Sequence, residues 1–306
     1  MRKTLCIVAL AVVAVACGDS TTVTPQAAPS ASFPVSIAAG NGTITIPKRP
    51  SRIVSLSPTA TEILFAIDAG SQVVAVDDQS NYPTTAPKTK LSGFEPNVEA
   101  IAAYTPDLVV YATEVKNLGA SLGTVKIPAV QQDAANTLDD TYTQVEQLGR
   151  ATGHPKEAAR LIARMKKDIS VVVGSAPTFS GQLSYYHELD SQFFSTTSKT
   201  FIGTLYGLLH LKNIADPADK PDNHYPQLSP EAIIQADPDL IFLADTKCCS
   251  QSAATVAKRP GWGKITAVKE GDVIALDDDI ASRWGPRVVD FLRTVVAALE
   301  ELKKAS

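Results

Sequence analysis

The chain has 306 residues, of which 44% are apolar and 20% charged, and a formal net charge of −4. This is an ordinary globular composition with enough apolar material for a large core. No basic patch or run of Lys and Arg stands out, which argues against nucleic acid as a partner and against an electrostatically bound membrane surface. Any membrane attachment must therefore come from another feature.

The N-terminus has the pattern of an export signal. Met1-Arg2-Lys3 is a short basic segment, and residues 5–16 form an apolar run. The run is too short to cross a bilayer core of about 30 Å as a helix, but it suits the apolar part of a secretory signal. The small residues that lead into Cys17 resemble a bacterial lipoprotein cleavage site, where Cys17 becomes the acylated first residue. The alternative is an ordinary cleavage site with Cys17 just beyond it.

The segment that follows is typical of a linker. Residues 18–34 are rich in Ser, Thr, Pro and Ala and have no hydrophobic period, as in a flexible tether. We therefore predict a signal peptide over residues 1–16 and a lipid-anchored tether over residues 17–49. The protein is then exported and held at the outer face of the cytoplasmic membrane by its lipid anchor alone.

Most of the remaining chain alternates short β-rich runs with helical patterns, which predicts parallel strands with crossover helices. The alternation is interrupted once, by consecutive helical patterns at 138–152 and 155–173. The second is about 27 Å long at 1.5 Å per residue, enough to bridge two lobes, although it could instead pack on one of them. The predicted fold is α/β, with two doubly wound parallel-sheet lobes, 50–153 and 175–306, joined by one long rigid helix at 154–174.

An internal repeat relates the two halves. Residues 98–112 align without a gap on residues 230–244, and both copies read cap, short helix, Pro-Asp-Leu and buried strand. Glu99 and Glu231 occupy the same place in the first helical turn. That turn should lie near the carboxyl end of its sheet, where open α/β sheets place their functional loops. Two alternatives remain: chance reuse of a common turn, and glutamates that the helix dipole favours at this position.

Several of these motifs together resemble a known family. Residues 52–66, Asn81-Tyr82-Pro83 and the two glutamate-containing repeats are similar to the periplasmic-binding-protein family for cobalamin and ferric siderophores, from about Arg52 to the C-terminus. The resemblance implies two α/β lobes joined by one rigid helix, with a ligand held between them and limited closure. It implies a monomeric binding protein that needs no cofactor and is not an enzyme.

The resemblance also implies functional residues. Glu99 and Glu231 would dock into arginine pockets on the two permease subunits of an ABC importer. Loops that face the cleft would contact the ligand through Tyr82, Phe94, Tyr225, Asp279, Arg283 and Trp284. Aromatic faces bury flat or apolar ligand surface, and Arg283 could pair with a ligand carboxylate or phosphate. Tyr186 and His187 end a predicted strand at the same rim, where lining the cleft and packing in the core are equally open.

The ligand predicted in this way is a metal chelate, with a ferric siderophore ahead of cobalamin and haem in third place. The order reflects the tryptophans that the cobalamin-binding member of the family has where this chain has Phe94 and Tyr225. No metal site built from protein ligands alone is predicted, because no pair of the four histidines has the tight spacing of metal ligands.

Two rival functions come from other classes. An exported hydrolase would need catalytic motifs, but the chain has no Gly-x-Ser-x-Gly elbow, no Gly-rich phosphate loop and no His-Glu-x-x-His. A lipoprotein adhesin or sensor of the same fold is the second rival. Genes for a permease and an ATPase beside this one would argue against it.

Of the four cysteines, one adjacent pair lies in the predicted folded region. Cys6 departs with the signal peptide and Cys17 would carry the lipid, so only the adjacent Cys248 and Cys249 remain. The pair follows a predicted strand at 240–244 and should face the cleft. In an oxidising compartment it could form a strained vicinal disulfide. Two small buried thiols are the alternative.

Overall fold

The structure, a computed structural model, describes residues 32–220 and 223–305. The predicted signal peptide at 1–16, Cys17 and the start of the predicted tether lie outside these residues. Within them, no helix combines the length and the apolar character needed to cross a membrane.

Strands and helices alternate along most of the described chain. The strands are β1 (Val35–Ala39), β2 (Gly42–Ile46), β3 (Ile53–Leu56), β4 (Val73–Val76), β5 (Leu108–Tyr111), β6 (Ala129–Gln131), β7 (Ser184–Glu188), β8 (Lys212–Asn213), β9 (Leu240–Leu243) and β10 (Val273–Ala275). The α-helices are α1 (Pro58–Ala66), α2 (Val98–Ala102), α3 (Leu118–Thr124), α4 (Leu138–Thr152), α5 (Pro155–Ser175), α6 (Phe201–Gly207), α7 (Pro230–Ala236), α8 (Ala253–Val256), α9 (Thr266–Glu270), α10 (Asp278–Ala281) and α11 (Val288–Ala305).

Two four-stranded parallel sheets have the same topology. The first has the order β4-β3-β5-β6 and the second the order β10-β9-β7-β8. In each sheet the second strand along the chain lies on one side of the first strand, while the third and fourth lie on its other side. The predicted α/β fold with two doubly wound parallel sheets is confirmed.

The internal repeat is visible in backbone geometry as well as in sequence. Thr105 and Asp237, which precede the equivalent prolines, both adopt left-handed backbone conformations, with φ of 47° and 45°. In each copy the aspartate of Pro-Asp-Leu then clamps the start of the neighbouring strand. The Asp107 carboxylate accepts from the Ser51 and Arg52 amides, and the Asp239 carboxylate accepts from the Ser184 amide and hydroxyl. The two halves therefore use one local design twice.

The hydrophobic core follows the alternation of side chains across each sheet. One face of both sheets, together with α1, α4, α5 and α11, forms a single continuous cluster. The opposite faces form two separate clusters, one in each half. Helix α5 lies within the shared cluster and contacts both α4 and α11. Its 21 residues span about 31 Å, which agrees closely with the predicted connecting helix at 154–174; its role as a rigid link and the lobe boundaries stay predictions.

The predicted tether is wrong in its last part. Residues 35–46 form an antiparallel hairpin of β1 and β2, and Ile37 and Ile46 are fully buried. The Arg150 guanidinium donates to the Ser36 carbonyl and so attaches the hairpin to α4. The sequence carried the signal, because apolar alternation flanks a Gly-Asn pair typical of a tight hairpin turn.

Candidate functional site

The candidate site lies where the two halves face each other. A cavity of about 330 Å³, here called the central cavity, is lined on one side by residues at or just after the carboxyl ends of β3 and β5 and on the other by residues 279–284. In the first sheet, β3 and β5 flank the point where the strand order reverses. Ligands of open α/β sheets bind outside the carboxyl ends of the strands at this point.

A larger cavity lies elsewhere. It has a volume of about 490 Å³ and is lined mainly by apolar residues, among them Phe179, Leu183 and Leu208. Leu183 immediately precedes β7, so this cavity adjoins the amino ends of the second sheet rather than its carboxyl ends. Although this cavity is larger, the central cavity is the better candidate for the ligand site, because it lies at the carboxyl ends of the strands.

A buried ion-pair network joins the two halves beside the central cavity. The Glu62 carboxylate, on α1, accepts from Arg283 at 2.8 Å and from Arg287 at 2.5 and 3.0 Å. The Glu62 side chain is 1% exposed, and those of Arg283 and Arg287 are 8% and 15% exposed. A lone carboxylate thus holds two arginines that come from the opposite half of the chain.

Arg283 has little donor capacity left for a ligand. Besides Glu62, its guanidinium donates to the Asn81 side chain, the Gln79 carbonyl and the Asp279 carboxylate. The suggestion that Arg283 pairs with a ligand carboxylate or phosphate therefore does not fit this structure. Its contacts instead fix the geometry of the cleft wall.

Asp279 extends the network towards the second sheet. Its carboxylate accepts from the Asn81 amide at 3.0 Å and from the Lys247 ammonium at 2.6 Å. Burial opposes ionisation, but the hydrogen bonds from Lys247 and Asn81 and the nearby Arg283 outweigh it and lower the pKa of Asp279. With Asp277, which also binds Lys247, the network contains as many cations as carboxylates. It is therefore close to neutral.

Three of the predicted ligand aromatics, Tyr82, Phe94 and Tyr225, are exposed, but they do not all share one cavity. Phe94 is 70% exposed and lines the central cavity, as does Trp284, whose indole N–H donates to the Gln144 side chain at 2.8 Å. Tyr82 is 46% exposed and lines a neighbouring cavity of about 360 Å³, where its ring covers the Arg287 guanidinium at 4.4 Å. Tyr225 is 49% exposed.

The loop of Tyr225 belongs to the rim of the second sheet. The neighbouring Pro226 carbonyl accepts from the Ser195 amide, and Gln227 forms a bridge with Phe194. These partners belong to the segment that leaves the carboxyl end of β7. Tyr225 thus lies on a loop at the rim of the second sheet, and its contact with a ligand stays a prediction.

Tyr186 and His187 do not line the cleft. Both are fully buried, because β7 continues past them to Glu188. Tyr186 packs edge-on against Trp262, and His187 Nδ1 lies 2.9 Å from the Tyr206 hydroxyl. Burial lowers the pKa of His187 to about 3, so its imidazole is neutral at physiological pH. Their assignment as ligand residues is corrected to core packing.

A buried acidic pair lies at the equivalent switch point of the second sheet. Glu188, at the end of β7, forms a bidentate ion pair with Arg259 at 2.5 and 2.6 Å. Asp245, just after β9, is fully buried, and neither of its carboxylate oxygens has a hydrogen-bond partner. Burial and the neighbouring Glu188 carboxylate raise the pKa of Asp245 to about 7, against the opposing effect of Arg259.

This arrangement predicts a pH-dependent effect of Asp245→Asn. A raised pKa in the folded state means that wild-type stability falls as pH rises from about 4 through about 7, because the folded protein binds the proton more tightly. Asparagine removes the charge, so the variant should be more stable than wild type at about pH 8 by about 1–3 kcal/mol and nearly equal at about pH 5. Urea unfolding at both pH values measures this difference. An equal difference at both values would contradict the assignment.

The predicted docking glutamates occupy equivalent, open positions. Glu99 and Glu231 are both exposed and lie in the first turns of α2 and α7. Asn97 and Ser229 cap these helices by accepting from the Ala100 and Ala232 amides. Neither glutamate forms a salt bridge with another described residue, so both carboxylates remain free for a partner.

Sequence reasoning missed most of the ionic framework. The sequence predicts no role for Glu62, Arg287 or Lys247, and Asn81 enters only through the Asn81-Tyr82-Pro83 motif. The local Thr-Glu-Ile-Leu pattern marks Glu62, but nothing in it identifies a partner 221 residues away. Asp77 was also missed: it lines the central cavity, and burial, partly offset by hydrogen bonds from Ser80, raises its pKa to about 6.

The geometry defines a class: an α/β protein of two equivalent parallel-sheet halves, with the exposed Phe94 ring at a cavity that both halves line. Among the described residues, no cluster of three or more His, Cys, Asp or Glu side chains could hold a metal ion. The cleft is formed by loops from both halves and framed by a nearly neutral ion-pair network.

Comparison with known proteins agrees with this class. The family model for periplasmic binding proteins matches residues 53–280. The chain is 32% identical over 279 residues to the uncharacterized ABC transporter substrate-binding lipoprotein YvrC of Bacillus subtilis, covering 87% of this chain and 86% of that protein. It is 31% identical over 301 residues to a cobalamin-binding protein of Halobacterium salinarum, covering 94% and 81%.

A solved structure is also similar. The crystal structure of a possible iron-binding, periplasmic solute-binding protein from Staphylococcus epidermidis superposes with a TM-score of 0.71 at 27% identity, covering 82% of this chain and 99% of that one. The chain therefore belongs to the periplasmic-binding-protein family, and the family predicted from its motifs is confirmed.

Proposed function

We propose that this chain is the solute-binding lipoprotein of an ABC importer and that it captures a metal chelate of the corrinoid class between its two lobes. The observation that carries the proposal is the central cavity, because both halves of the chain contribute its walls at the carboxyl-end rim. The importer assignment is supported by the similarity to a substrate-binding lipoprotein over 87% of the chain.

The chemistry of the cleft favours a large ligand with apolar or flat surface. Phe94, Tyr82 and Tyr225 account for half of the exposed large apolar side chains among the described residues. Exposed aromatic faces of this kind bury ligand surface at low entropic cost. The balanced ion-pair network offers no free cation for a simple anion.

The ligand order predicted from sequence is therefore revised. The similarity to a cobalamin-binding protein extends over 94% of the chain, and Phe94 and Tyr225 keep aromatic rings where tryptophans were expected for a corrinoid. A ferric chelate is the second candidate, supported by the similarity to a possible iron-binding protein.

Delivery completes the proposed function. The protein is exported, anchored through Cys17, and docks on the permease through Glu99 and Glu231, as a monomer without catalysis or cofactor. The equivalent exposed positions of the two glutamates support this arrangement.

Calorimetric titration with cyanocobalamin, haem and a panel of ferric siderophores tests the ligand. We expect cyanocobalamin to bind in a one-to-one complex, and Phe94→Ala or Tyr225→Ala to weaken binding by roughly 1–3 kcal/mol, the cost of losing a buried aromatic contact. Val125→Ala is the matched control, because Val125 is 49% exposed but lies at the end of α3, outside the cleft. Binding of no chelate, or an equal loss in the control, would overturn the proposal.

A further inference from the structure

The loop after β9 carries two adjacent thiols that have no role in the proposed ligand capture. Cys248 is exposed and Cys249 half-buried, and both are free thiols in this structure. They are adjacent in the sequence and lie in a turn between Asp245 and Ser252. Within the described part of the chain they are the two cysteines present.

The turn is held in a defined shape. One carboxylate, that of Asp278, accepts from three successive backbone amides, those of Thr246, Lys247 and Cys248, at 2.9, 2.8 and 3.1 Å. The Cys249 amide closes the turn by donating to the Asp245 carbonyl. The two thiols are therefore presented together on a fixed backbone.

The turn is also linked to the cleft. Lys247, which immediately precedes the pair, binds Asp277 and Asp279 through its ammonium group. Asp279 in turn lines the central cavity and holds Arg283. A change in the conformation of the cysteine turn would therefore act directly on Lys247, which belongs to the ion-pair network beside the central cavity.

The Cys248 thiol is a weak nucleophile in the reduced protein. Burial, the hydrogen-bonded Cys249 thiol and the carboxylates of Asp278 and Asp245 raise the pKa of Cys248 to about 12. Because the thiolate is the reactive form, Cys248 reacts slowly at neutral pH. Closure of the pair by thiol–disulfide exchange requires a partner that carries a disulfide.

We propose that Cys248 and Cys249 form a reversible thiol–disulfide site that closes to a vicinal disulfide by exchange with a disulfide-bearing partner outside the membrane. One cysteine attacks the partner disulfide and releases one partner thiol. The second cysteine then attacks the mixed disulfide and releases the other. In total, two cysteine S–H bonds and the partner S–S bond break, while one S–S bond forms in the chain and two S–H bonds form on the partner.

Geometry makes this disulfide easy to reopen. Consecutive Cα atoms lie about 3.8 Å apart across a trans peptide, closer than the roughly 4.4–6.8 Å of ordinary disulfides. The resulting strain raises the reduction potential, so that the bond is labile rather than permanent. Closure of the pair does not depend on which chelate the cleft holds.

A redox titration of the purified exported protein tests the proposal. The protein is equilibrated with mixtures of reduced and oxidised glutathione, quenched with acid, alkylated and digested with trypsin. Cleavage after Lys247 and Lys258 yields one peptide, residues 248–258, that contains both cysteines. In oxidising mixtures we expect this peptide to be two hydrogens lighter and to carry no alkyl group.

Two variants provide the control. Cys248→Ser and Cys249→Ser each leave one thiol, which should instead accumulate as a mixed disulfide with glutathione. Reopening in mixtures that leave the unstrained disulfides of a reference protein intact would support the reversible site. Two glutathione adducts on the wild-type peptide, alkylation of both thiols in every mixture, or a closed pair that resists such mixtures would overturn it.

Discussion

Replacing Glu62 with alanine should lower the free energy of unfolding by about 3–5 kcal/mol, the cost of removing one partner from a buried ion pair. The reason lies in the arrangement of the network. Arg283 and Arg287 both depend on this one carboxylate and are themselves almost buried. Without Glu62, two guanidinium groups would remain at the contact between the halves with too little counter-charge.

The measurement is urea unfolding of the variant beside a matched control. Glu301→Ala also removes a glutamate from a salt bridge, but both side chains of that pair are about 70% exposed. An exposed pair contributes about 0–1 kcal/mol, so the control should be nearly neutral. Glu62→Gln should fall between the two, because it keeps the size and one hydrogen-bond acceptor of the side chain. Equal losses for Glu62→Ala and Glu301→Ala would show that the network does not hold the halves together.

The ligand site should weaken with the network. Glu62 fixes Arg287, which supports the Tyr82 ring, and Arg283, which forms part of the central cavity. Cleft geometry therefore depends on a residue that does not itself need to contact ligand. In Glu62→Gln, which should remain folded, we expect ligand affinity to fall while affinity in the Glu301→Ala control is unchanged.

The double substitution Glu99→Ala and Glu231→Ala should reduce import to background while leaving ligand affinity within about twofold of wild type. Exposed substitutions of this kind change stability by no more than about 0.5 kcal/mol. Loss of one partner of a charge pair that becomes buried in a complex costs about 2–5 kcal/mol. The double variant should therefore lose docking to the permease while its fold and its ligand binding are retained.

The comparison requires cells that express the permease, the ATPase and each variant at equal levels, with uptake of labelled chelate as the readout. Glu146→Ala on α4 is the control, because it removes an exposed glutamate that lies outside the repeat. Each single substitution should impair uptake on its own, since the two lobes are expected to contact different permease subunits. Wild-type uptake by the double variant would exclude docking through these residues.

The sequence predicted the parts of the fold that depend on short-range patterns. Helix α4 begins and ends at the predicted residues 138 and 152, and β9 begins at the predicted residue 240. β9 is a short buried run, and the Thr137 side chain caps the start of α4. The gap-free repeat is itself a short-range pattern, and it predicts two equivalent halves.

The sequence predictions were wrong where tertiary packing, rather than the local sequence pattern, determined the structure. The sequence pattern puts Tyr186 and His187 at the end of a strand, whereas β7 continues to Glu188. Neighbouring elements cover both faces of such a buried parallel strand, so both side chains are in the core. The composition of the tether obscured the hairpin at residues 35–46. Contacts such as that between Glu62 and Arg283 are set by the approach of the two halves, which no local period encodes.

The central claim is that one ligand lies between two equivalent halves, and amide hydrogen exchange with and without cyanocobalamin tests it most directly. Exchange reports local opening, and bound ligand slows the opening of the segments that it contacts. The account predicts slower exchange in loops of both halves, at residues 92–97, 223–229 and 277–284. Protection confined to one half, or centred on Phe179 and Leu208 around the apolar cavity, would contradict it.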